Sequence, residues 1–282
     1  MEAAFADGHD SGVEFDDMYT TLIPFRYSVA LPIYSSFVSL DDSLNAKVYI
    51  NNRYYQASHL SRHPFPIDER EKDRQRRQFA ACHQLFLEQA NLQSIESPRT
   101  VLDLKTGARY WAIKFADENS SSEVYGIDII LMQEEWVVGH VDEMEVSLTE
   151  IGCCSAGGVI GIWDTTVKFH DPNGASPLHN LWRDMEPAYN MDEWSLNLPF
   201  ISSEEIERRG FVNVVEKVYH LPLNLSVPGP ATSLVASWAD GLEAYSSELL
   251  VRHLGRRHLD VSIQCAAARQ AVRLGVEGWL QM

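Results

Sequence analysis

Residues 100–128 constrain the fold more than any other stretch. Thr100 to Leu104 is a short apolar run of strand length, residues 105–109 form a tight turn around Gly107, and residues 108–118 carry helical periodicity. Glu123 to Asp128 is a second strand-like run that ends in a carboxylate. A strand, a turn, a helix and a second strand closed by an acidic residue open a nucleotide-cradling, doubly wound sheet. The first strand delivers the turn to the carboxyl edge of the sheet, where ligands of such folds bind. The turn needs residues without Cβ, so that backbone can approach a ligand or take positive φ. Gly107 supplies one such position, while Lys105 and Arg109 stand where two more glycines are usual. Asp128 follows the turn by about 20 residues, the interval at which a carboxylate accepts the hydroxyls of a ribose. Asp103, at the end of the first strand, orients the turn. The candidate cofactor-binding residues are therefore Asp103, Gly107 and Asp128.

The rest of the chain builds around this unit. Residues 1–20 are acidic and read as a disordered arm. Residues 21–40 are apolar but interrupted by Pro24 and Pro32, which suits packing on the domain or a short strand. Residues 47–67 are aromatic and loop-like. Asp68 starts a helix whose first turns hold Glu69, Glu71 and Asp73, favourable at the positive end of the dipole. Phe79, Cys82, Phe86 and Ala90 share one face of it, while Lys72, Arg74, Arg76 and Arg77 read as a solvated face. Residues 141–148 suggest a third strand, and Gly157-Gly158 followed by apolar residues reads as a turn feeding a buried strand. Leu178, Leu181, Trp182 and Met185 mark a helix after Pro177. Ser202-Ser-Glu-Glu205 is a capping box for a helix ending at Gly210. Phe211 to Leu223 reads as one long strand, Leu234 to Leu249 as a helical stripe ending near Gly255, and residues 259–273 as a last helix. Three parts are expected: an acidic, partly disordered arm (1–48), an N-terminal cap with its helix (49–97) and an α/β domain (98–282).

Charge limits the partners. With 40 acidic against 23 basic residues the net charge is −17, which disfavours direct nucleic-acid binding and anionic membrane surfaces. Cys82, Cys153, Cys154 and Cys265 lack metal-site spacing and fit free thiols in a reducing compartment. The N-terminus lacks the pattern of a signal peptide, and no apolar run reaches membrane-spanning length. An intracellular protein is expected, cytoplasmic, or nuclear if regulatory.

Asp103-Leu-Lys-Thr-Gly-Ala-Arg-Tyr-Trp-Ala-Ile-Lys-Phe-Ala-Asp117 resembles Asp-Ile-Gly-Thr-Gly-Thr-Gly-Ile-Trp-Ala-Ile-Asp-Phe-Ala-Asp. That is the cofactor motif of the LaeA-like (UMTA-type) class I S-adenosylmethionine-dependent methyltransferases of filamentous fungi. Pro66-Ile-Asp68-Glu69-Arg-Glu71-Lys-Asp73-Arg74 resembles the helix preceding the domain in that group, and Glu123-Val-Tyr-Gly-Ile-Asp128 its second strand. Gln133 with Trp136, Gly157-Gly158-Val159, Gly210-Phe211-Val212, Leu221-Pro222-Leu223 and Gly241-Leu-Glu-Ala-Tyr-Ser246 match later pieces, so the likeness runs from about residue 49 to 270. The resemblance implies a doubly wound Rossmann-like methyltransferase fold, S-adenosyl-L-methionine as cofactor and a small-molecule, polyketide- or peptide-derived substrate.

The departures from the motif also carry meaning. Lys105 would crowd the methionine part of the cofactor, and two cations beside a sulfonium cost on the order of 1 kcal/mol each when solvated. Arg109 pairing with the cofactor carboxylate is the alternative. Against the family, a segment with the fourth strand is missing between Glu145 and Gly152, and a final strand is missing after Trp279, so a truncated sheet is expected. Three functions follow: methyl transfer to a natural product, a methyltransferase-fold cyclase or pericyclase acting through the same cleft, or a non-catalytic LaeA-like regulator working through protein partners. No catalytic base is singled out; His170-Asp171 and His253 with His258 are candidates by residue type alone. His59 and His63 have helical ligand spacing, but Pro64 follows and no third ligand is near, so they read as surface loop. Tyr54, Tyr55, Trp163 and Trp182 are candidate aromatics for gripping a small ligand.

Overall fold

The computed structural model of the 282-residue chain describes residues 46–87, 98–128, 130, 132, 158–163, 165–169, 174, 176–191, 203–226 and 228–282, with two short strands near the N-terminus. Those strands are β1 (Ala4–Phe5) and β2 (Leu22–Ile23). They are followed by β3 (Lys47–Ile50), β4 (Arg53–Gln56), α1 (Glu69–Cys82), β5 (Thr100–Leu104), α2 (Tyr110–Glu118) and β6 (Glu123–Ile127). Then come β7 (Thr166–Phe169), α3 (Pro177–Met191), α4 (Ser203–Arg208), β8 (Phe211–Val212), β9 (His220–Pro222), α5 (Pro230–Asp240), α6 (Leu242–Leu254), α7 (His258–Leu274) and β10 (Gly278–Gln281).

β5 and β6 pair in parallel with Asp103 opposite Gly126, and α2 crosses between them. The crossover packs through Ala112, Ala116 and Val124, with Trp111 stacked on Phe115 at 5.0 Å. Small residues at 112 and 116 lie one turn apart, which lets the helix sit close to the strands. β2 joins the outer side of β6 antiparallel, so this sheet has the order β2-β6-β5.

The expectation of a mostly parallel, doubly wound sheet is met only here. Among the described residues, β5–β6 is the one parallel pair; β7, β9 and β10 form a separate antiparallel sheet of order β7-β10-β9, and β1–β8 and β3–β4 are antiparallel pairs. The C-terminal residues form a strand of this antiparallel sheet. β10 runs through Trp279 and pairs on both sides, with Leu280 opposite Val167 and Leu221. The segment from 145 to 152, the expected strand at 141–148, Gln133, Trp136 and His170-Asp171 lie outside the described residues.

The main core is helical. α3, α6 and α7 pack against one another and α5 packs on β9, burying Leu178, Leu181, Met185, Leu234, Leu242, Leu250, Val261 and Val272 with Leu221 and Leu280. Each such side chain contributes about 1.5–3 kcal/mol relative to exposure, so these helices outweigh the small α2 crossover as the scaffold.

Several expectations shift by local chemistry. The 47–67 stretch is not all loop: Asn51 and Asn52 take φ of 51° and 61°, the left-handed pair of a two-residue hairpin turn, and join β3 to β4. The buried strand expected at 159–163 does not form there: the strand lies at Thr166–Phe169, and Val159 and Trp163 are 39% and 48% exposed. Phe211 to Leu223 is interrupted after Val212, because Asn213 adopts φ 56° and breaks the extended run. The stripe from 234 to 249 is two helices, α5 and α6, meeting at Gly241.

Candidate functional site

α1 begins where Asp68 accepts the Glu71 amide at 3.0 Å, an N-cap that fixes the first turn. Arg53 of β4 holds the same carboxylate from the other side, with Nη2 donating to Oδ1 at 2.8 Å. Hairpin and helix are thus locked together through one acid. The helix then lies along α5, where the Ser237 hydroxyl donates to the Arg74 carbonyl at 2.9 Å. On its other side the Tyr110 hydroxyl, from the first turn of α2, donates to the Lys72 carbonyl at 3.2 Å. α1 therefore bridges the helical core and the 103–109 turn.

The turn itself has an unusual backbone. Lys105, Gly107 and Arg109 all have positive φ, at 60°, 51° and 66°. Alternate residues in the left-handed region are natural for glycine and cost a residue with Cβ roughly 1 kcal/mol or more. Lys105 and Arg109, the residues that depart from the resembled motif, thus stand on a glycine-type backbone. Thr106 folds back over β6: its hydroxyl donates to Asp103 at 2.7 Å, and a Cβ on Gly126 would stand 2.9 Å from its Oγ1. Gly126 is thus the small residue that lets the turn close on the strand.

The structure brings Asp103, Gly107 and Asp128 into one cluster. Asp128 is buried, and it accepts the Gly107 amide at 2.7 Å on one oxygen and the Ile130 amide at 3.2 Å on the other. Burial raises Asp103 from its usual 3.8 to about 6; the Thr106 hydroxyl works against that rise and the Asp128 charge adds to it. Arg109 is 3% exposed, and burial pulls its guanidinium down to about 10.

A pH dependence follows from Asp103. The folded chain holds this proton more tightly than the unfolded chain does, so the stabilisation is full below the ordinary carboxylate range and is lost as pH rises through about 6. Measured by urea denaturation across that interval, Asp103→Asn is expected to become progressively more stable relative to the parent protein, and to stay so above it. A difference between the two that does not change with pH would show that the carboxylate is solvated.

Over the turn sits a residue that the sequence reading passed by. Gln75 of α1 has its carboxamide oxygen 3.4 Å from the Ala108 amide and 2.9 Å from the point where a Cβ on Gly107 would lie. Its nitrogen donates to Glu71 at 3.2 Å and approaches Met132 Sδ at 3.5 Å. Glu71 is in turn buried with Arg74, which donates to it at 2.6 Å, and the Arg74 guanidinium stands 5.3 Å from the Tyr245 ring. Of the basic run expected to form a solvated face, Arg76 and Arg77 are exposed, but Arg74 is buried and points inward. The available signal was the Glu71–Arg74 spacing of three with Gln75 beside it, which places all three toward one side of the helix.

Other candidates scatter. His59 is buried rather than on a surface loop, with its ring nitrogen 2.8 Å from the Ser58 hydroxyl. His63 packs edge-on against Phe65 at 5.0 Å and is held down to about 3 by burial, with the charges of His59 and Lys105 adding. Tyr55 is fully buried, Tyr54 packs on Tyr49, and Trp182 joins Trp238 in the helical core, so the four aromatics do not gather around one ligand site. His258 bonds Ser247 near the start of α7.

Comparison with known proteins adds one finding. The chain is similar to a fungal regulator of secondary metabolism. It is 23% identical over 257 residues to the secondary metabolism regulator LAE1 of Cochliobolus heterostrophus (strain C5), covering 74% of this chain and 83% of that protein. No family model and no solved structure matches. The likeness to LAE1 supports a distant relation to LaeA-like proteins, and the mixed α/β architecture is consistent with a methyltransferase-like fold. No helix among the described residues is long and apolar enough to cross a membrane.

Proposed function

We propose that this chain is an S-adenosylmethionine-binding, methyltransferase-fold protein of fungal secondary metabolism that methylates a small-molecule natural product. The observation that supports the reading most is the turn: positive φ at 105, 107 and 109, with Asp128 closed on the Gly107 amide. Such a backbone lets a ligand approach the turn closely. In the proposal Asp128 takes the ribose hydroxyls, Gly107 allows close approach, and Asp103 with Thr106 keeps the turn in shape. The cofactor supplies an electrophilic methyl group on a sulfonium. The protein's part in such chemistry is chiefly to hold the acceptor in line with that methyl, and positioning of this kind supplies much of the rate.

A second reading, a LaeA-like regulator that does not transfer methyl groups, is favoured by the cations at 105 and 109 and by the likeness to LAE1. Calorimetric titration with S-adenosylmethionine tests the shared premise. Saturable binding is expected; no heat at about 1 mM ligand, which would report affinities down to about −4 kcal/mol, removes it. Transfer of labelled methyl to pathway intermediates then separates the two readings.

A further inference from the structure

We propose that Gln75 determines which ligands the 103–109 turn accepts: its carboxamide oxygen takes the place of a ligand oxygen against the Gly107–Ala108 backbone. This deepens the reading above and rests on it. The turn presents the Ala108 amide as a donor, and the acceptor facing it is Gln75 Oε1 at 3.4 Å, a long contact that a better acceptor would improve on. The same oxygen lies 2.9 Å from where a Cβ on Gly107 would be, so it fills the space that the glycine leaves open. A ligand that uses this space must displace the carboxamide or bond to it.

The helix beneath Gln75 is held in place by several bonds. α1 is fixed by the Asp68 cap, by the Arg53–Asp68 pair and by the Ser237 and Tyr110 hydroxyls on its carbonyls. Glu71, which accepts the Gln75 nitrogen, is clamped by Arg74. Adjustment is therefore confined to the torsions of the Gln75 side chain. A glutamine in this position accepts from the amide with one end and is steered by a carboxylate at the other, so its oxygen is aimed at the turn. The ligand chemistry it competes with is a carboxylate or hydroxyl oxygen carried by an adenosyl compound.

S-adenosylhomocysteine is the probe, because its sulfur is neutral and does not meet the repulsion of Lys105 and Arg109. It is titrated into the parent protein, Gln75→Ala, Gln75→Glu and Lys105→Gly/Arg109→Gly, with amide hydrogen exchange followed at residues 107–109. Gln75→Ala is expected to bind about 3–10-fold more tightly, the effect of removing one competing hydrogen bond, and to exchange faster at Ala108 without change elsewhere. Gln75→Glu is expected to bind more weakly, since it sets a charge in the ligand's place. If Gln75→Ala matches the parent in both affinity and exchange while the double glycine variant binds, this inference fails and the cofactor reading stands. If none of the four binds, both fail.

Discussion

Glu71→Gln is expected to lower the unfolding free energy by about 3–5 kcal/mol, the usual cost of removing one partner from a buried ion pair. The side chains of Glu71 and Arg74 are 5% and 8% exposed and share two donors and both carboxylate oxygens. Without the acid, the guanidinium keeps its charge in a place where water cannot reach it. The midpoint of urea denaturation reports the loss. Asp73→Asn is the control, since its pair with Arg76 has both side chains more than half exposed; such pairs contribute about 0–1 kcal/mol. A loss at Glu71 no larger than at Asp73 would mean that the α1 face is wet. Replacing both partners by apolar residues, Glu71→Leu with Arg74→Met, is expected to recover most of the stability, because no buried charge remains uncompensated.

That pair marks where the sequence was legible and where it was not. The strand, helix and strand at 100–127 and the cap at Asp68 are written in local chemistry: apolar runs of strand length, a glycine at the turn, an acid before an acidic first turn. Local rules place them within a residue or two. The inward turn of Arg74 is not local. It depends on Tyr245 and Ser237, far along the chain, offering a ring and a hydroxyl to a helix that would otherwise present a charged face to water. The hairpin at Asn51-Asn52 is legible in two residues that tolerate left-handed backbone, although the surrounding tyrosines do not alternate clearly enough to mark two strands. At the site, sequence spacing brought out Asp103, Gly107 and Asp128, because a strand-turn-strand unit fixes their separation. Gln75 escaped because its role comes from packing between two units. Nor does the sequence report φ: Lys105 and Arg109 read as a broken motif, and the backbone beneath them is of glycine type.

From that backbone comes the largest expected effect on binding. Lys105→Gly/Arg109→Gly is expected to bind S-adenosylmethionine about 10–100-fold more tightly than the parent protein. Two cations near a sulfonium oppose it by on the order of 1 kcal/mol each in a solvated setting, and by more where water is excluded; Arg109 is buried and Lys105 is not. The chain does not have to rearrange to accept the change, since both positions already have φ near 60°. Relief of left-handed strain is offset in part by the greater freedom of glycine in the unfolded chain, so stability is expected to hold or rise by up to about 1 kcal/mol. Charge and crowding separate by ligand. S-adenosylhomocysteine lacks the positive sulfur, so repulsion predicts a gain much larger for S-adenosylmethionine than for its neutral product, whereas crowding predicts equal gains. Calorimetry with both ligands and with each single variant decides between them. If the double variant binds neither, at concentrations where its folded state is confirmed by circular dichroism, then a glycine-type turn and a well-placed Asp128 are not sufficient to hold an adenosyl group. The 103–109 unit would then serve this protein as structure alone, with Asp128 a brace for Gly107 and Ile130.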